Sequence, residues 1–441
     1  MLDIQWIRKE PEKIRELIAK RNIEVDFTEF LEQDKKRRDL IHTTEELKAE
    51  RNRSSALIPQ MKKKGEDTTE LLAKMKEISE EIKRNDAELA EIQKEQDTFI
   101  AALPNVPAED VPAGGKEANV VKHTFGEKPT FDFEPKHHVD IAENLGIIDY
   151  QRGAKLGGRG FWVYRGDGAR LEWALLNYFI QEHLKDGYEM IMPPHLLLYA
   201  CGFTAGQFPK FEQDVFSLQP RRGMHDDEDA ELPEAEHGFR HFLLPTAETA
   251  LVNLHRDEIL DEAELPKKYF AYTPCYRSEA GSYRAEERGM IRGHQFNKVE
   301  IFQYTKPEDS AEALEELIGK AENLVKGLGL HYRLSQLAAA DCSASMMKTY
   351  DIEVWIPSMN DYKEVSSASN AGDYQARRGN MKYRREADRK VEFMHTLNAS
   401  GLATSRVFPA ILEQYQQADG SVLIPEVLRP FMNGQEKIEK K

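Results

Sequence analysis

The chain has 441 residues, enough for more than one domain at about 100–200 residues each. Hydrophobic residues make up 40% and charged residues 31%, and no run of about 18 apolar residues occurs, which argues against a membrane-spanning helix. The net charge of −16 argues against nucleic-acid binding by the surface as a whole and leaves local charge as the deciding quantity.

The first residues, Met1 to Trp6, lack the charged-then-apolar pattern of a signal peptide and the Arg-rich, acid-poor pattern of a transit peptide. Cys201, Cys275 and Cys342 are far apart and form no metal or redox spacing. A cytoplasmic location is therefore expected. Residues 28–100 predict two long helices. In the second, Leu71, Met75, Ile78, Ile82, Asn85, Leu89, Ile92, Gln96 and Phe99 alternate spacings of four and three, a heptad seam with two polar positions. Asn85 and Gln96 either fix register or mark a solvent-facing kink. Pro59 and the run from Lys63 to Asp67 predict a break and a turn between the helices, so the two should fold back as an antiparallel hairpin. The first helix carries ten basic residues between Lys35 and Lys64 (Lys35, Lys36, Arg37, Arg38, Lys48, Arg51, Arg53, Lys62, Lys63 and Lys64) against Asp39, Glu45, Glu46 and Glu50. A basic island on an acidic chain is a candidate phosphate-binding face; a solvated charged helix would have the same composition.

Residues 103–135, broken by Pro104, Pro107, Pro112, Gly114, Gly115 and Pro129, read as a linker. The expected division is thus an N-terminal helical domain at 1–102, the linker at 103–135, a second domain at 136–433 and a charged tail at 434–441. In the second domain Leu171, Ala174, Leu175, Tyr178 and Phe179 share one face of a helix ended by Gly187. Met190–Met192 reads as a short strand stopped by Pro193 and Pro194. Gly157–Gly160 and Arg165–Gly168 read as hairpin turns about a short aromatic strand. Strand-like runs at 269–278, 291–303, 350–357 and 391–397 come without regular βαβ alternation. The expected fold class is α+β: a helical hairpin followed by an antiparallel sheet with flanking helices. Residues 219–240, rich in Asp and Glu with His225 and His237, read as a solvated acidic insertion without a compact ligand set.

No GxxxxGK[ST] loop is present, so a nucleotide would have to be held by side chains of the sheet. Ala271–Glu279 is followed by a long connection, 280–289, and then by Met290–Glu300. Arg277 and Glu279 should share a face, as should His294, Phe296, Lys298 and Glu300. A connection of about ten residues exceeds an ordinary hairpin loop, and such loops usually carry function. An Arg–Glu surface ladder would give the same pattern. Asn398–Arg406 follows a strand and opens a helix, so Arg406 falls in its first turns, where backbone N–H groups favour an anion.

These segments together resemble the class II aminoacyl-tRNA synthetases, and among them the seryl-tRNA synthetases. Tyr188–Pro194 is similar to motif 1, Arg277–Glu279 with Met290–Glu300 to motif 2, and Gly401–Arg406 to motif 3. Leu243–Glu248, Glu364–Ser367, Asp373–Arg378 and Gln416–Pro430 are similar to further segments of that family. The resemblance covers nearly the whole chain. It implies a homodimer that uses ATP and Mg²⁺ to activate serine and then loads it onto serine tRNA (and, with serine, onto selenocysteine tRNA), with the helical hairpin reaching the long variable arm. It implies ATP contacts at Arg277, Ser278, Glu279, Phe296, Glu364, Val365, Ser366, Ser367 and Arg406. Within that set Arg277 and Arg406 are catalytic, and Phe296 and Arg406 sandwich the adenine. It implies Mg²⁺ ligands at Glu364 and Ser367, and serine contacts at Thr246, Ala247 (through its backbone), Glu248, Glu300 and Ser400. Three departures stand out: Ala338–Ser345 where the family has a Cys-Thr-Gly-Asp-like segment, Ser405 where it has glycine, and the length of 219–240. Two other readings share the motifs: a paralogue supplying seryl-tRNA to a biosynthetic pathway, and a coiled-coil interaction protein with a dead catalytic domain. The second should have lost a charged ATP contact, and none is missing.

Overall fold

The computed structural model describes residues 1–218, 241–279 and 289–440. The acidic stretch 219–240 and most of the connection after Glu279 lie outside the described residues. The chain forms two compact units: one comprises Met1, Leu17–Ile23 and Pro104 onwards, the other Leu2–Glu16 and Glu24–Leu103.

The smaller unit is built on two helices, α1 (Thr28–Lys64) and α2 (Thr69–Ala102). They lie antiparallel because the turn between them is only four residues. Gly65, at φ +75°, ends α1, with its own N–H and that of Glu66 returning to the carbonyls of Lys62 and Met61; glycine adopts this left-handed cap without strain. Pro59 does not break α1 as the sequence suggested. It sits on the solvent side, where the backbone carbonyl it leaves unbonded can meet water. At the open end Phe30 stacks on Phe99 at 5.4 Å. Along the seam Ile78, Ile82 and Ile92 are buried, and Asn85 donates to Thr44 Oγ1 across the hairpin at 3.2 Å, which favours register over a kink. Asp34 is buried and held by Arg8, Arg37 and Arg38. Lys36 and Lys48 pair with Glu88 and Asp86 of α2. Arg53, Lys62, Lys63 and Lys64, towards the turn, are exposed and make no ion pair among the described residues.

The larger unit is organised by an eight-stranded sheet: β1 (Val120–Phe125), β2 (Glu189–Met190), β3 (Lys267–Tyr276), β4 (Gln295–Thr305), β5 (Tyr332–Gln336), β6 (Lys348–Ile356), β7 (Asp361–Gly372) and β8 (His395–Ala403), in spatial order β1-β5-β6-β7-β8-β4-β3-β2. All pairings are antiparallel except β2 on β3. Side chains alternate between the two faces. On β4, Val299 and Ile301 join the core formed with α3 (Asp167–Lys185), α4 (Ser310–Gly327) and α5 (Thr404–Gln414). Phe302 and Tyr304 point the other way and pack with Leu251, Tyr269 and Tyr383. Lys298 and Glu300 share that second face, so the same alternation that builds both cores places two charged side chains on one open end of the sheet.

Several local expectations change. Within 103–135, Val120–Phe125 is an edge strand on β5. The glycine clusters are not hairpin turns: Gly158, at φ +94°, ends the helix Tyr150–Gly157, and Asp167–Gly168 opens α3. The strand expected at Met190–Met192 is shorter, Glu189–Met190. The run 391–397 divides at Met394, and β8 continues through Asn398–Ala403. Those residues are turn formers by propensity, but the β4 ladder runs along them to Ala403 and β7 pairs with Asn398 and Ala399, which hold them extended.

One position in the hairpin is energetically exposed. Gln96 is 1% accessible, and neither its amide nitrogen nor its oxygen has a partner. Burying an unpaired amide costs about 1–3 kcal/mol, so Gln96→Leu should stabilise the smaller unit by that order. Urea unfolding followed by helical circular dichroism checks this as a raised midpoint at unchanged slope.

Candidate active site

The open end of the second face is a cavity of about 540 Å³ lined by Thr246, Glu248, Arg277, Glu279, Lys298, Glu300, Glu364, Ser367 and Ser400 among others. Nine of the residues expected from the resemblance or its strand pattern therefore meet in one place. Strand alternation alone would not bring Glu364 and Ser367 together, since residues three apart face opposite ways. A β-bulge does so. Opposite β6 the register shifts between Ile352↔Ser366 and Glu353↔Glu364, leaving Val365 as the extra residue, buried at 1%. A bulge re-aims one side chain in this manner, and here both oxygen-bearing side chains reach the cavity.

The floor is a network of buried charge. Glu300 is fully buried and ion-paired to Lys298. Lys298 also donates to Thr246 Oγ1 at 2.7 Å. Asn398 Nδ2 donates to Glu300 at 2.9 Å and to Glu248 at 3.4 Å. Gln375 Nε2 donates to the other oxygen of Glu248 at 2.8 Å, and is itself oriented by Thr396 Oγ1. Burial, reinforced by the nearby charge of Glu300, pushes the Glu248 carboxyl up to about 7. Two carboxylates over one lysine leave room for a cation, which is what an amino-acid ammonium supplies.

At the other side of the cavity Arg406 donates to the backbone oxygen and to Oε2 of Glu364, both at 2.8 Å. Burial would raise the Glu364 carboxyl, but Arg406, Arg277 and Lys298 outweigh it and hold it below its usual range. Asp351, opposite Ser367 on β6, is half-buried, with its Oδ1 buried and unpartnered, and burial beside Glu364 pushes its carboxyl well up. Glu279, at φ +49°, is ion-paired to Arg292 at 2.6 Å. The Arg277 guanidinium lies over the Phe296 ring at 5.3 Å.

The remaining expected residues surround the cavity without lining it. Ala247 and Val365 are in the core. Ser366 is buried and donates to the Ser400 carbonyl at 2.6 Å. Ser278 donates to the Gln213 carbonyl. Phe296 is covered by Arg277, and Arg406 reaches the site through Glu364. The sequence reading assigned no role to Lys298, Asn398, Gln375, Arg292 or Asp351. Lys298 was visible in the alternation with Phe296 and Glu300; Asn398 and Asp351 depend on cross-strand register, and Gln375 and Arg292 on a helix and a loop brought in from elsewhere in the chain.

The network has a pH signature. A carboxyl raised from its ordinary 4.5 to about 7 binds its proton more tightly when folded. Its cost to stability is absent below about pH 4.5, grows as pH rises through that window and is complete above about pH 7. Glu248→Gln removes it. The stability of that variant relative to wild type should rise by on the order of 3 kcal/mol between about pH 4 and about pH 8, as read by denaturant unfolding at each pH.

The seryl-tRNA synthetase N-terminal domain profile matches residues 1–107, and the profile of the tRNA synthetase class II core domain (G, H, P, S and T) matches residues 233–415. The chain is 63% identical over 439 residues to serine–tRNA ligase 2 of Clostridium acetobutylicum, covering 99% of this chain and 100% of that one. It is 46% identical over 436 residues to the serine–tRNA ligase of Thermodesulfovibrio yellowstonii, covering 98% and 99%. Its fold is similar, at a TM-score of 0.89 and 34% identity over 100% of both chains, to the crystal structure of seryl-tRNA synthetase from Pyrococcus horikoshii complexed with ATP. It is also similar, at a TM-score of 0.87 and 28% identity over 100% of this chain and 99% of the other, to cytoplasmic serine–tRNA ligase from Naegleria fowleri in complex with AMP. With the whole length matched at this identity, and a buried charge floor beside an arginine-flanked sheet end, the chain belongs to the seryl-tRNA synthetase family.

Proposed function

We propose a division of labour within the cavity for ATP-dependent ligation of serine to serine tRNA. The serine carboxylate attacks the α-phosphorus of ATP, forming seryl-adenylate and releasing pyrophosphate. A ribose hydroxyl at the 3′ end of the tRNA then attacks the carbonyl carbon and AMP leaves. Neither step needs a protein nucleophile, so orientation and charge stabilisation carry the rate. The observation that carries this reading is the joint presence on one sheet face of an anion-binding end (Arg277, with Arg406 behind Glu364) and a cation-binding floor (Glu248 and Glu300).

Glu248 and Glu300 take the serine ammonium. Thr246, Ser400 and the backbone at Ala247 take its remaining polar groups. Arg277 holds the α-phosphate. Ser278, Glu279, Val365, Ser366 and Phe296 hold the rest of the nucleotide, the core-facing residues through their backbone, with Arg406 released from Glu364 to cover the adenine. Glu364, Ser367 and the orphaned Asp351 Oδ1 form an all-oxygen donor set, which fits Mg²⁺. When bound, the ion neutralises phosphate charge.

The exposed basic end of α1, with Arg53, Lys62, Lys63 and Lys64 free of ion pairs among the described residues, supports a phosphate-binding role for the arm. Exposed apolar side chains at Trp173, Leu184, Met190 and Met192, on α3 and at the sheet-edge strand β2, support a homodimer through Tyr188–Pro194. No described helix is long and apolar enough to cross a membrane; the cytoplasm is the compartment that suits the substrates.

Serine-dependent pyrophosphate exchange tests the reading directly, and a folded chain without it would refute the reading. Arg277→Ala should lower exchange by roughly 10²–10³-fold with an unchanged melting temperature. Neutralising Arg53, Lys62, Lys63 and Lys64 to Gln should leave exchange intact, lower charging of serine tRNA and flatten its salt dependence. A monomeric mass at micromolar concentration would rule out the dimer.

A further inference from the structure

The segment Ala338–Met347, which contains the unusual run Ala338–Ser345, belongs to no helix or strand, yet Ser343 and Met346 from it line the cavity. A stretch without regular structure leaves its carbonyls to be satisfied elsewhere. Four of them are satisfied by one side chain. Arg21 is 5% exposed. Its Nη1 donates to the carbonyls of Ala339, Cys342 and Ser343 at 3.0, 3.3 and 3.3 Å. Its Nη2 donates to the carbonyl of Met346, and its Nε to that of Asn105 at 2.9 Å. Among the described residues no carboxylate pairs with it, and burial lowers its proton affinity accordingly. Asn105 completes the arrangement: its amide nitrogen donates to the carbonyls of Ser345 and Ala371 at 2.9 and 2.8 Å, and its backbone N–H to Ala344 at 2.7 Å.

A guanidinium has five donors in a rigid fork and no acceptor. It is suited to gather several carbonyls that point inward, and doing so bends the segment around itself with the side chains of Ser343 and Met346 outward into the cavity. We propose that Arg21 is a positioning residue for substrate choice: by holding the carbonyls of 339–346 it fixes Ser343 and Met346 as one wall of the amino-acid pocket, and Met346 is the side chain that limits substrate size there. The proposal rests on the reading of the floor beside Thr246, Glu248 and Glu300 as the serine site.

Pyrophosphate exchange of the full chain with serine, with threonine and with varied ATP tests it. Wild-type exchange with serine is the control, and its absence would refute the serine reading itself. Given that control, Arg21→Ala should raise the KM for serine roughly tenfold or more while the KM for ATP stays within about twofold, with Arg21→Lys between the two. Met346→Ala leaves the carbonyl anchoring in place and should lower the preference for serine over threonine, in kcat/KM, by roughly tenfold. If Arg21→Ala does not fold, Arg21→Lys and Met346→Ala decide the matter. Serine and ATP KM rising together in a folded Arg21 variant, or an unchanged serine preference in Met346→Ala, overturns the proposal.

Discussion

Glu300 has no exposure to solvent, and a carboxylate in that position is tolerated only where cations and donors are already fixed around it. Lys298 and Asn398 meet that requirement, and each can do so only from a particular place. Lys298 must lie two residues earlier on the same strand. Asn398 must lie on β8, which pairs with β4 through Glu300↔Ser400. The charged floor therefore constrains the register of the central strands, and the central strands carry the two cores. A slip of one residue on β4 would drive Lys298 and Glu300 into the helix-packed core and expel Val299 and Ile301. Packing and chemistry favour the same register, which is the condition for a single native arrangement.

The two ends of the cavity have opposite character for a physical reason. On the side of Glu248 and Glu300 acid outnumbers base, and burial beside Glu300 pushes the Glu248 carboxyl up to about 7. On the side of Arg277 and Arg406, the Glu364 carboxyl is held below its usual range against its burial. A zwitterionic amino acid whose carboxylate must approach a phosphate needs this gradient along its length. The Glu364–Arg406 pair keeps both groups satisfied, and in the proposed roles nucleotide and metal take over these contacts.

In the smaller unit several basic residues of α1 are paired within the unit: Arg37 and Arg38 with Asp34, and Lys36 and Lys48 with acids of α2. Arg53, Lys62, Lys63 and Lys64, towards the turn, are left to solvent. A charge count along α1 cannot distinguish the two groups, because Glu88 and Asp86 come from the other helix and Asp34 gathers its arginines through burial. The exposed group near the turn is available for counterion release on a polyanion.

Much of this protein was determined by sequence pattern alone. Heptad spacing gave the hairpin, period-two alternation gave the faces of β3 and β4, and short motifs identified Arg277, Glu300 and Glu364 as members of one site, since these signals are local and read within a few residues. What the pattern misjudged was also local: Pro59, Gly157–Gly160 and Asn398–Ala403 each carry propensities that neighbouring structure overrides. Tertiary structure alone decided the bulge at Val365 that turns Glu364 and Ser367 to one side, the partnership of Asn398 and Gln375 with the buried carboxylates, and the grip of Arg21 on four carbonyls of a segment over 300 residues away. These depend on cross-strand register and on long-range satisfaction of backbone carbonyls, neither of which leaves a periodic trace in the chain.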